Sequence, residues 1–431
     1  MSGHVRRRWL VALFLLVLLL GTGLVLWQTH HPRDPYKAKA YALASPYRFS
    51  IPRWEAKALT DELRERVTVS APPPTSPEAR ELVLDYLKVA RDIGALEGEI
   101  ERRVAEASDR SHAYAQISPL QEKITSLRER QKRRRPVVER ILARQVTRVL
   151  AQEHLGWLGK PLPPIAFEFT EPPYYLILSY RDHIEMRLGI HLKPKLSLET
   201  RERLESEAER ELPNTSALVE GIGGFSTWPT MIIDRADLQW VLSTIAHEWT
   251  HTYLIAFPLG RHYYDNGDMS AINETVADIV GNEIGAKTLR RFYPQLAPPP
   301  SPTPTPERNT PLPGKTPTPT PTPTFDFVRE MRITRETVDK LLAEGKVEEA
   351  EAYMEQRRRF FVAHGYYIRK LNQAYFAFHG TYRTGPAAPS HDPIGPRLHK
   401  LRRESPSLAA FLRTVRGIAK VEDLYKLVPE P

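Results

Sequence analysis

The sequence predicts an α+β fold on three observations. Apolar residues recur at alternating spacings of four and three from Leu82 to Ile100, the signature of a helix. Between residues 165 and 192 the period changes to two, which reads as strand, and two helical stretches follow each other directly after residue 237. Strands followed by consecutive helices argue for α+β rather than an alternating α/β order. At 431 residues with 41% hydrophobic content, the chain is long enough for two or three folded units.

The first element is an apolar stretch. Residues 9 to 27 run from Trp9 to Trp27 without a charge, close to the length that crosses a bilayer, with Arg6, Arg7 and Arg8 immediately before it. The expectation is a single-pass transmembrane signal anchor in the cell membrane, with residues 1 to 8 cytoplasmic and the rest of the chain extracytoplasmic. A cleaved signal peptide is the rival, but its small-residue cleavage site should follow closely, and "ALA" at 42 to 44 is far downstream. Either way the domain is exported, and the lipid bilayer is an expected partner. Residues 28 to 76, punctuated by proline and ending in "SAPPPTS", are expected to be irregular.

Thr75 or Ser76 can cap a helix whose first turn holds Pro77 and Glu78. Leu82, Tyr86, Val89, Ile93, Leu96 and Ile100 continue it, and Leu120, Ile124, Leu127, Val138, Ile141 and Val149 follow a polar break. This predicts an antiparallel, coiled-coil-like helical hairpin over 77 to 156, with a supporting role. From 160 to 296 come three strands ("IAFEFT", "YYLILSY", "HIEMRLGIHL"), a polar helix near 198 to 212, a glycine-broken strand in "SALVEGIGGFSTWPTMIID", and two helices beginning at Asp237 and near Ala271. Residues 297 to 324 alternate Thr and Pro and are expected to be a disordered, semi-extended linker; they hold most of an excess of 39 prolines over 22 glycines. Residues 325 to 431 are expected to be helical.

Composition narrows the function. Without cysteine the chain has no disulfide, thiolate metal site or cysteine nucleophile. A formal net charge of +9 is compatible with a nucleic-acid partner, but the arginines lie along helices, densest in "RERQKRRRP" at 128 to 136, with no aromatic stacking motif beside them, so no nucleic acid is expected.

The chemistry centres on "HEWTH" at 247 to 251. On a helix, His247 and His251 share a face and can present two imidazoles to one ion, while Glu248 stands beside it as a base for water. Read alone, the motif favours zinc over its rival, two satisfied core histidines. Zinc needs a third protein ligand and an open fourth position, and "NETVAD" at 273 to 278 offers Glu274, with Asp278 one turn on to accept an imidazole N–H.

Together, "HEWTH" and "NETVAD" resemble the HExxH and NExxxD signature of the gluzincin metallopeptidases, zinc enzymes of thermolysin-like fold. The resemblance implies a zincin-like mixed sheet with active-site helices. It implies His247, His251 and Glu274 as zinc ligands, Glu248 as general base, and Asp278 and Asn273 as their supports. The gap from His251 to Glu274 is longer than in thermolysin-like enzymes, and a metzincin reading fails because His262 comes too late. The "VEGIGGFSTWPTM" segment stands where that family holds peptide substrate by backbone pairing. The aminopeptidase motif expected there is absent, with Glu220 a weak stand-in.

The C-terminal "RRRFFVAHGYYIRKLNQAYFAFHGTY" loosely resembles a group of predicted bacterial aminopeptidases, which implies Asn372, His379 and Tyr382 over the metal. Tyr382 or a protonated His379 would then stabilise the oxyanion, in competition with Tyr263 and Tyr264. The resulting expectation is a membrane-anchored zinc metallopeptidase acting on peptides or proteins, with aminopeptidase action the form that the second resemblance implies. The alternative is an envelope scaffold or binding protein with a structural or vestigial metal site, for which His262 is the nearest candidate fourth ligand.

Overall fold

The structure, a computed structural model, describes residues 34–106, 110–156, 161–297, 325–383, 385–389 and 392–429, with side chains described for all of these except 101–106 and 110–117. Residues 9 to 27 lie outside the described residues, as does most of the expected Thr/Pro linker. Among the described residues no helix is long and apolar enough to cross a membrane. The fold class is corrected accordingly to a mixed helix-and-sheet fold with no membrane-crossing helix among the described residues, and the expected single-pass cell-membrane placement is withdrawn with it.

The segment expected to be irregular is largely helical. Helices α1 (Pro35–Ala44) and α2 (Ile51–Thr68) begin with proline in the first turn, and the Asp34 side chain accepts from the Tyr36 N–H. Proline in a first turn has no hydrogen bond to lose there and its φ suits the helix, so it starts these helices rather than preventing them.

Helices α3 (Pro77–Glu106) and α4 (Arg110–Gln152) form the hairpin, with Ser76 Oγ accepting the Ala79 N–H at the start. Val89, Ile93 and Ile124 seal its far half. Its near half belongs to the main core: Val83, Tyr86, Ile141, Leu142 and Val146 pack with the helix that bears "HEWTH". Polar ties reinforce this, with Phe169 N donating to Glu139 Oε1 at 2.6 Å and Tyr86 Oη to Asp234 Oδ2 at 3.0 Å.

The strands form two separate three-stranded sheets. Strands β2 (Tyr174–Tyr180), β3 (Met186–Leu192) and β4 (Thr215–Gly221) are antiparallel in the order β3-β2-β4. One face packs on α1 and on α5 (Leu198–Glu211) through Leu176, Ile190, Val219, Leu204 and Ala208. Strand β1 (Phe167–Phe169) runs parallel to β6 (Thr230–Ile232), which pairs antiparallel with β5 (Gly224–Phe225). The three-strand run expected over 165 to 192 is therefore split, β1 going to a partner more than sixty residues away. The strand expected in "SALVEGIGGFSTWPTMIID" is three strands in two sheets, and the chain changes sheet at Gly221–Gly224.

The outer edge of β4 is closed by side chains. Ala217 N donates to Glu209 Oε1 at 3.0 Å and Val219 N to Glu205 Oε1 at 2.6 Å, while Asn372 Nδ2 donates to Ala217 O at 3.0 Å and Arg369 Nη2 to Val219 O at 2.9 Å. Exposed strand edges are otherwise templates for pairing with other chains.

Helix α6 (Leu238–Leu254) starts at Asp237, whose side chain accepts from Trp240 N, and a single turn, α7 (Pro258–Arg261), leads to α8 (Gly267–Phe292), capped by Asn266. Beyond residue 324 come α9 (Phe327–Ala343), α10 (Val347–Ala363), α11 (Gln373–His379), α12 (Ile394–Glu404), α13 (Leu408–Val415) and α14 (Val421–Leu427). Helix α11 covers the second face of the antiparallel sheet at Ile177 and Leu218. Residues of α12 to α14 such as Leu398, Phe411 and Leu424 extend the main core behind α8.

Candidate metal centre

Two buried helices build the centre, and glycines set how closely they pack. A Cβ added to Gly281 on α8 would lie 2.8 Å from the Ser243 carbonyl oxygen and 2.9 Å from His247 Cβ, and one on Gly285 would lie 2.7 Å from the backbone of Ser243. That approach brings His247 and His251 of α6 against Glu274 of α8.

The Nε2 atoms of His247 and His251 are 3.0 Å apart, and each lies 3.4 Å from Glu274 Oε2. These three residues could hold a metal ion. Tetrahedral coordination at about 2.0–2.1 Å places ligand atoms about 3.3–3.4 Å from one another, which these separations approach. Glu274 Oε2 is moreover buried with no hydrogen-bond partner, whereas unsatisfied buried carboxylate oxygens are costly. A cation on that atom accounts for it.

The other ring nitrogens are engaged. His251 Nδ1 is 2.7 Å from Asn273 Oδ1, and Asn273 Nδ2 donates to Leu259 O at 3.1 Å. His247 Nδ1 is 3.4 Å from Asp278 Oδ1. Both rings are thereby oriented with Nε2 toward the shared point, the arrangement that metal-ligating histidines require. The remaining oxygen of Glu274 accepts from Tyr263 Oη at 2.6 Å.

Electrostatically the group is short of positive charge. Burial lowers the His247 pKa, but the Asp278 and Glu274 carboxylates overcome it and raise it to about 10. Burial raises that of Glu274, yet the two imidazoles hold it below the usual carboxylate range. Glu248 is raised by burial, partly offset by the same imidazoles. Glu248 is 6% exposed and its Oε1 packs directly on Gly224, where a Cβ would collide with it. The glycines of "GIGG" thus make room for protein side chains, Gly224 for Glu248 and Gly223 for Trp240.

The C-terminal residues separate. The Tyr382 ring centroid is 6.1 Å from that of His247, and Glu274, burial, Glu248 and Asp278 keep its phenol protonated. The His379 ring meets Tyr375 at 4.2 Å and Phe378 at 5.1 Å; burial lowers its pKa to about 4, so at neutral pH it is not the protonated donor that the resemblance implies. Asn372 caps α11 by accepting from Tyr375 N and holds the β4 edge. Tyr264 is exposed beside Tyr263, and Glu220 is in register with Tyr175, its carboxyl raised by burial. His262 is 2.6 Å from Asp265 and outside the three-residue group. What sequence reasoning missed is the Tyr263–Glu274 bond and the paired glycines of α8, for which only the i, i+4 spacing of Gly281 and Gly285 offered a hint.

Compared with protein-family models, with curated proteins and with solved structures, the chain finds no match in any of the three.

Proposed function

We propose that the chain is a zinc-dependent metallopeptidase of the gluzincin type, in which Glu248 is the general base for peptide-bond hydrolysis. The observation that carries this reading is the convergence of His247 Nε2, His251 Nε2 and the otherwise unpartnered Glu274 Oε2, with a buried carboxylate, Glu248, one residue from the first ligand. Two imidazoles and one carboxylate without thiolates suit zinc, and three protein ligands are the number that catalytic zinc sites carry.

Zinc held there by His247, His251 and Glu274 would supply a Lewis acid that polarises a carbonyl and acidifies water. Glu248 would accept the proton of the attacking water at its carboxylate and return it to the leaving amine; its burial brings its pKa closer to that duty. Tyr382, protonated and beside His247, is the donor to the developing oxyanion. Strand β5 pairs with β6 on one side only and carries Gly224 against Glu248, so an extended peptide added along its free edge would run past the base. A purely structural site needs a fourth protein ligand, and His262 is paired with Asp265 instead.

The test compares wild type with Glu248→Gln on a peptide library, with metal content measured on both. The expected result is stoichiometric zinc in both proteins and a loss of hydrolysis of about 10²–10⁴-fold in the variant. No zinc in the wild type, or unchanged hydrolysis by Glu248→Gln, overturns the reading.

A further inference from the structure

The segment between α6 and α8 does more than connect them. Tyr263, two residues beyond α7, reaches back so that its hydroxyl donates to Glu274 Oε1 at 2.6 Å, while its ring stands edge-on to His251 with centroids 6.2 Å apart. Its backbone is fastened in turn: Ser270 Oγ, in the first turn of α8, donates to Tyr263 O at 2.6 Å. The neighbouring Tyr264 has an exposed ring that stands edge-on to that of Tyr263, with centroids 4.7 Å apart.

We propose that Tyr263 is the positioning residue for the metal ligand Glu274, its hydroxyl occupying Oε1 so that Oε2 alone faces His247 and His251. A free carboxylate can grip an ion with both oxygens or with one. With Oε1 engaged, the one-oxygen mode is selected, the centre keeps three protein donors, and a position stays open for a reactant. The Ser270 bond ties this choice to the start of α8, the helix that carries Glu274 itself. The inference rests on the metal-binding part of the reading above and is independent of whether peptides are the substrate.

The experiment uses the full chain as wild type, Tyr263→Phe, Tyr264→Phe and Ser270→Ala. Zinc affinity is measured by competition with a chelator, the visible absorption of the cobalt(II)-substituted protein reports coordination number, and melting of the metal-free proteins checks folding. Tyr263→Phe is expected to bind zinc about 10–100-fold more weakly. It should also weaken the intense four-coordinate cobalt band as Glu274 closes with both oxygens, with metal-free melting unchanged. Ser270→Ala should move both readouts less and in the same direction, and Tyr264→Phe neither. Equal affinity and an identical cobalt spectrum in Tyr263→Phe overturn the inference, as does an equal effect of Tyr264→Phe. Wild type that takes up neither zinc nor cobalt fails the metal reading itself and takes the inference with it, an outcome distinct from the other two.

Discussion

His251 Nδ1 meets Asn273 Oδ1 at 2.7 Å, and the orientation of that amide is set by its own donation from Nδ2 to the Leu259 carbonyl at 3.1 Å. A carbonyl can only accept, so the amide nitrogen must face Leu259 and the amide oxygen must face the histidine. The imidazole proton is thereby held on Nδ1, and the Nε2 lone pair is directed at the point shared with His247 Nε2 and Glu274 Oε2. On the zinc reading proposed above, Asn273→Ala should lower zinc affinity about 10–100-fold while leaving His247, His251 and Glu274 in place. Chelator competition checks this, and affinity unchanged within twofold would show that the tautomer is held by something else.

The packing of α6 on α8 gives a contrast between two glycines. Gly281→Ala forces a methyl group to within 2.8 Å of the Ser243 carbonyl and 2.9 Å of His247 Cβ, neither of which is the flexible end of a side chain. The better helix propensity of alanine is worth about 1 kcal/mol, and overpacking of this kind costs about 1–3 kcal/mol, so the helices must separate. The expected outcome is a lower Tm together with weakened zinc binding. Gly98→Ala, in α3 with nothing within 4 Å of the added carbon, should instead gain about 0.5–1 kcal/mol. A Gly281→Ala protein as stable and as metal-competent as wild type would show that the close approach is not needed.

These cases mark where the sequence is readable. His247, His251, Glu274 and Asp278 are two pairs spaced four apart on helices, and helical periodicity alone puts each pair on one face. The Asp237 start of α6 and the Ser76 start of α3 are equally local. Tyr263 is different: its role depends on where α7 returns the chain, which no local spacing encodes. Strand β1 has the same alternation as β2 and β3, and period two says nothing about which strand is its partner. The prolines of residues 28 to 76 read as breakers because proline forbids a helix interior, yet Pro35 and Pro52 stand in first turns, where that prohibition does not apply.

Strand β4 offers a test of how its edge is closed. Glu205, 2% exposed, accepts from Val219 N and is held by Arg369, whose Nη1 reaches Glu205 Oε2 at 3.0 Å and whose Nη2 reaches Val219 O at 2.9 Å. Arg369→Met removes the closest cation from a buried carboxylate, leaving it Val219 N and the Lys370 ammonium 3.7 Å from Oε2, and takes a donor from the Val219 carbonyl, so unfolding free energy should fall by about 3 kcal/mol. Adding Glu205→Leu removes the under-compensated charge and should recover part of the loss, though Val219 N then lacks its acceptor. Urea unfolding of the single and double variants measures this, and a double variant less stable than Arg369→Met alone would contradict the account.

Acid should destabilise the fold through histidines outside the metal centre. Burial lowers the pKa of both His191 and His379 to about 4, against about 6.5 in an unfolded chain. Between those values the unfolded chain binds protons that the folded protein refuses. Stability is therefore complete above about pH 6.5 and is lost as the pH falls toward 4. His247 works in the opposite sense in metal-free protein: its pKa is raised to about 10, so its contribution is present at low pH and fades as the pH climbs through that value. The urea midpoint of metal-free protein should consequently drop from pH 7.5 to pH 4.5. In a His191→Phe, His379→Phe double variant, which keeps rings against Tyr175, Phe225, Tyr375 and Phe378, the drop should be smaller. The comparison between variants isolates these two imidazoles from the carboxylates that titrate in the same range, and identical declines would assign the acid sensitivity to those carboxylates instead.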